Sequence, residues 1–67
     1  MTHSYTLVAE GRKKFDKLFL TRSEATKKMY ELVNELHLKI SKVYEDRHDV
    51  TYICNDEITK FHINRYM

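Results

Sequence analysis

The sequence predicts an α+β domain of ββαββ order, an antiparallel sheet with one long amphipathic helix packed on one face. Three observations lead there. Residues 21–45 contain neither Gly nor Pro and carry apolar residues at helical spacing. Stretches on either side of that segment are rich in apolar and aromatic residues and are interrupted by residues suited to tight turns. The chain has 67 residues with no internal repeat, low-complexity stretch or linker, so residues 1–67 are expected to form a single domain.

In the first hairpin, Tyr5, Leu7 and Ala9 alternate with Thr6, Val8 and Glu10, and an aromatic and apolar run follows from Phe15 to Leu20. Gly11, the single glycine, lies between them, where its freedom at positive φ suits a turn. A loop of residues 11–14 sets Leu7 against Leu18 and Tyr5 against Leu20. Other loop lengths oppose Leu7 to Asp16 or Lys17, so the first register is the expected one. It turns Val8, Phe15 and Phe19 to the opposite face.

The helix follows. Ala25, Met29, Leu32, Val33, Leu36, Ile40 and Val43 recur at spacings of three and four. Thr21 and Glu24 fit a capping box, with Ser23 a competing N-cap. Nothing before the polar run of residues 45–49 forbids helix, so its end is expected near Tyr44. A helix from Ser23 to Tyr44 would be ~33 Å long, against a radius of gyration of ~11 Å for a domain of this size. One end should therefore overhang the sheet. Tyr30, His37 and Tyr44 repeat at seven-residue spacing beside the stripe and widen the apolar arc, which suggests a second contact surface.

In the last hairpin, residues 50–54 and 57–66 flank Asn55 and Asp56, which tolerate left-handed backbone. A two-residue turn there pairs Tyr52 with Thr59 and Val50 with Phe61. Val50, Tyr52, Cys54, Phe61 and Ile63 then share one face, and Ile53, Ile58, Lys60 and His62 the other. The pattern leaves strand order open.

Composition narrows the function. A domain of this length buries only about 60% of the surface its unfolded chain exposes, and oligomerisation is one usual remedy, so a homo-oligomer is expected. Cys54 is the sole cysteine, and His3, His37, His48 and His62 have no zinc-ligand spacing. No metal or cofactor is expected. Acidic neighbours Asp56 and Glu57 disfavour a reactive Cys54 thiolate, Asp46, Asp49, Asp56 and Glu57 cluster in loops, and no glycine-rich phosphate loop is present. The chain is not expected to be an enzyme. The first five residues carry no basic segment followed by an apolar one, and no apolar run approaches ~20 residues, so a cytoplasmic protein without membrane contact is expected.

Two surfaces compete for a role. Val8, Phe15, Phe19, Ile53 and Ile58 are expected to form an apolar patch on the uncovered sheet face, the kind of patch that marks an interface. The matching function is a small non-enzymatic regulator that inhibits or redirects a larger protein through this face or a strand edge. The plainer form of the same surface is a homodimer made for stability. The alternative is a single-stranded nucleic-acid module on the 12–19 hairpin, with Arg12, Lys13, Lys14 and Lys17 holding phosphates and Phe15 and Phe19 stacking on bases. Against it, the net charge is only +2 and Asp16 interrupts the patch; edge lysines also serve simply to block strand pairing.

The run Phe15-Asp-Lys-Leu-Phe-Leu-Thr-Arg-Ser-Glu-Ala-Thr-Lys-Lys-Met-Tyr30 leads from a strand through a Thr-x-x-Glu-Ala start into a helix rich in Lys, Glu and Tyr. In this it resembles the small accessory proteins encoded by bacteriophages. The resemblance covers about a quarter of the chain. It implies a short protein of the host cytoplasm that binds and redirects or inhibits a host or defence protein, and it carries over no site residues.

Overall fold

The computed structural model describes residues 4–66; Met1–His3, part of the stretch read for a leader, and Met67 lie outside them. The elements run β1 (Tyr5–Glu10), β2 (Phe15–Phe19), α1 (Arg22–Glu35), β3 (Ile40–Glu45), β4 (Asp49–Cys54) and β5 (Lys60–Arg65). The strands make one antiparallel five-stranded sheet in the order β2-β1-β5-β4-β3. The class is α+β, and the order is ββαβββ instead of ββαββ. Pairing of β1 with β5 joins the N-terminal hairpin to the C-terminal strands, so β2 and β3 are the two edges.

Helix α1 lies over β2, β1 and β5. Its Ala25, Met29, Leu32 and Val33 are buried with Leu7, Ala9, Val50, Cys54, Phe61 and Ile63 of the sheet in one core. The helix start is where the capping box places it. Thr21 has extended backbone, its Oγ1 accepts from the Glu24 N–H at 3.1 Å, and its hydroxyl donates to Glu24 Oε1 at 3.2 Å.

The end is where the long helix fails. Leu36 caps α1, and His37 takes the left-handed conformation at φ 56. Its N–H donates to Asn34 O at 3.1 Å, and the Leu38 N–H donates to Val33 O at 3.0 Å. These are the two bonds of a Schellman stop, with Val33 and Leu38 both packed at the core as its apolar pair. Glycine usually fills the left-handed position, and histidine hides the signal. His37→Gly should therefore stabilise the fold by about 1 kcal/mol by removing Cβ strain, read as a raised denaturation midpoint with unchanged slope.

Beyond the stop, Ile40, Val43 and Tyr44 suit a strand better than a helix. A bulge between Ile40 and Lys42 lets Ile40 pair with Cys54 and Val43 with Tyr52. Residues three apart thus reach the same face of β3, where a regular strand would separate them.

Both hairpin registers also differ from expectation. Tyr5 pairs with Phe19, Leu7 with Lys17 and Ala9 with Phe15, one residue away from the expected pairing. That slip turns Phe15 and Phe19 to the helix side, where both pack on the core. The helix above β2 offers more apolar contact to two rings than Leu18 and Leu20 would find there, and both leucines stay exposed. In the second hairpin Tyr52 pairs with Phe61 and Val50 with Ile63, a shift of two residues. An even shift preserves the faces, so Val50, Tyr52, Cys54, Phe61 and Ile63 do share the helix side.

Candidate functional site

The basic hairpin tip is built into the fold. Gly11 has φ 99, and a Cβ added there would run into the Ile58 carbonyl and lie 2.7 Å from Thr59 Cα. Beside it the Arg12 N–H donates to Thr59 Oγ1 at 3.3 Å, and the Thr59 hydroxyl donates to Asp56 Oδ2 at 2.7 Å. Asp56 Oδ1 accepts the N–H groups of Ile58 and Thr59 at 3.2 and 3.0 Å, and Arg12 Nε sits 3.6 Å from Oδ2. The Thr59 amide foremost, with the Thr59 hydroxyl, the Ile58 amide and Arg12, holds the Asp56 carboxyl below its ordinary range. A carboxyl lowered in the folded state stabilises the loop above its ordinary value and loses that contribution as pH falls through the folded value.

This arrangement engages one of the four cations of the 12–19 hairpin. Arg12 is paired with Asp56 while its side chain stays exposed, Lys13 is half-buried, and Lys14 and Lys17 stand exposed. Lys28 Nζ lies 5.8 Å from the centre of the Phe15 ring and Lys17 Nζ 5.4 Å from that of Phe19. Each ring that was expected to stack on a base carries a cation of its own chain.

Nor do Val8, Phe15, Phe19, Ile53 and Ile58 form one patch. Phe15 and Phe19 are on the helix side, Ile58 is in the β4–β5 loop, and only Val8 and Ile53 lie on the open face. Their neighbours there are polar: Val8 stands between Asp16 and His62, and Ile53 between Lys42 and Lys60. The open face also holds a constellation that sequence reading missed because its members come from three strands. His62 Nδ1 is 3.1 Å from Thr51 Oγ1, and its Nε2 is 3.6 Å from Glu10 Oε2. Carboxylate, imidazole and hydroxyl stand in relay order, with Glu10 exposed and His62 half-buried.

Exposed apolar side chains stand at both sheet edges, Leu18 and Leu20 at β2 and Val43 and Tyr44 on β3, with Tyr30, Ile58 and Tyr66 elsewhere. Strand β3 is exposed from Ser41 to Glu45, with Val43 50% and Tyr44 57% accessible. Val43 faces the helix side beside Tyr52, whose ring stands edge-on to that of Tyr30 at 6.5 Å, and Arg22 reaches 4.0 Å from Glu45 at one end. Burial, then the adjacent Tyr30, pushes the Tyr52 phenol up, so it stays a neutral hydroxyl. Tyr44 faces the open side. The other edge, β2, carries Asp16 and Lys17 at its centre, has the helix over one face and exposes Leu18 and Leu20, while β3 carries Lys42, Glu45 and the bulge.

Near the β3 bulge a pocket of about 260 Å³ is lined by Ser41, Lys42, Ile53, Cys54, Glu57 and Lys60. Cys54 is fully buried, and burial and then Asp56 push its thiol up, away from the reactive thiolate. Among the described residues no group of three or more His, Cys, Asp or Glu is placed to hold a metal ion, and no helix is long and apolar enough to cross a membrane. No family model, curated protein or solved structure matches this chain.

Proposed function

We propose that this chain is a small non-enzymatic binding protein, a regulator that engages another polypeptide by receiving it as an added strand along β3. The observation that carries this reading is the β3 edge itself: six residues long, outside the cover of the helix, and bearing exposed Val43 and Tyr44 on opposite faces. An edge of this kind presents a row of unpaired backbone groups, which natural sheets usually protect. Backbone bonds then supply affinity, and pockets for alternate side chains supply specificity. On the helix side, Val43, Tyr52 and Tyr30 make the apolar contact that an incoming strand would cover.

The test uses Val43→Pro. The Asp46 N–H donates to Asp49 O at 2.7 Å, and ladder alternation from that bond directs the Val43 N–H away from β4. Proline there spares the sheet and blocks an added strand. Capture from a nuclease-treated extract of the encoding organism should retain a partner on the unaltered chain and lose it at least tenfold on Val43→Pro, with thermal unfolding little changed. Retention by Val43→Pro, with loss on replacing Lys13 and Lys14 by Ala, would transfer the role to the hairpin tip.

A further inference from the structure

The free edge of β3 is complementary to itself. Along Lys39-Ile-Ser-Lys42-Val-Tyr-Glu45-Asp46 the first half carries lysines, the middle is apolar and the end carries carboxylates. An antiparallel copy of the strand sets each basic half against an acidic one. Ladder alternation from the Asp46–Asp49 bond turns the backbone groups of Lys42 and Tyr44 toward β4, and those of Val43 and Glu45 toward the free edge. We infer that the resting occupant of this edge is a second copy of the chain, its β3 paired antiparallel about a twofold axis at Tyr44. The inference rests on β3 being the binding edge, and it adds a regulation: a different partner must first displace the second copy.

The register follows from charge and geometry. A twofold axis normal to the sheet pairs residues symmetrically about one position and keeps the helices on one side. An axis at Lys42 opposes two ammonium groups. An axis at Val43 brings Glu45 against Ser41, where the bulge interrupts regular pairing. An axis at Tyr44 sets Lys42 against Asp46 of the second copy, twice by symmetry, and joins the outward backbone groups of Val43 and Glu45 in the regular part of the strand. Tyr44 then meets its mate as a non-hydrogen-bonded pair, where side chains approach most closely. The two five-stranded sheets become one, and the remaining edges are both β2.

Sedimentation velocity over a concentration series, together with oxidative cross-linking, tests this. The unaltered chain should dimerise as concentration rises. Lys42→Glu, which leaves the Asp46 turn intact, should weaken the dimer roughly tenfold by converting two attractive cross-strand pairs to repulsive ones. Tyr44→Cys should form a disulfide-linked dimer, because Cα atoms of a non-hydrogen-bonded pair are about 4.5 Å apart, within disulfide reach. Leu18→Cys, exposed beside the other edge, should not. A chain that stays monomeric throughout overturns the inference, and loss of a captured partner on Val43→Pro would still leave the binding edge standing. A dimer unaffected by Lys42→Glu and not linked through Tyr44→Cys overturns it as well, and one that also survives Val43→Pro removes the β3 edge from the association altogether.

Discussion

Phe61→Ala should destabilise the chain by about 3–5 kcal/mol, enough to leave so small a domain largely unfolded. Phe61 is fully buried and is the largest side chain that is. It lies on β5 between Ala9 and Tyr52 under α1, where the two halves of the sheet meet. Truncation opens a cavity bordered by both hairpins, and neither can move in without breaking the β1–β5 ladder. Equilibrium denaturation measures the loss. A midpoint close to that of the unaltered chain would mean that β5 is not the central strand of the core.

Gly11→Ala should cost about 3 kcal/mol, the upper end of the range for a residue held in a disfavoured backbone region. Two independent terms act together: φ 99 is strained for any L side chain, and the new Cβ meets the backbone of Ile58 and Thr59. The fault should spread to the β4–β5 loop, because the Arg12 N–H and Thr59 hydroxyl bonds depend on that approach. Exchange of the Thr59 amide should rise along with the fall in thermal midpoint. A loss confined to a few tenths of a kcal/mol would show that the tip stands free of the loop, as a solvated basic hairpin would.

Why some elements were readable and others were not has physical causes. The capping box at Thr21 and Glu24 and the buried face of Ala25, Met29, Leu32 and Val33 depend on local spacing, and local spacing is written in the sequence. The stop at His37 depends on a backbone conformation that glycine advertises and histidine does not. The bulge in β3 then brings Ile40 and Val43 to one face at a spacing of three, which mimics the next turn of the helix. Together these two features turned a strand into an apparent helical extension.

The candidate site was less legible for the same reason. A β1–β2 register that sets Leu7 against Leu18 and Tyr5 against Leu20 leaves out the helix, whose contact with Phe15 and Phe19 outweighs an unfavourable Leu7–Lys17 pair on an edge strand. A slip of one residue reverses every face, so the expected patch dispersed. The β4–β5 shift was even and cost nothing in face assignment. Strand order, and with it the identity of the edges, arises from the β1–β5 pairing of residues at opposite ends of the chain, which no local pattern encodes.

The most direct measurement is residue-resolved amide exchange at residues 42–45 in dilute and in associated protein. The expected result is alternation: Lys42 and Tyr44 protected in both, Val43 and Glu45 exchanging rapidly when dilute and becoming protected on association. Equal protection of all four in dilute solution, as a helix continuing to Tyr44 would give, or rapid exchange of Val43 and Glu45 in the associated protein, would contradict β3 as the edge through which this chain binds.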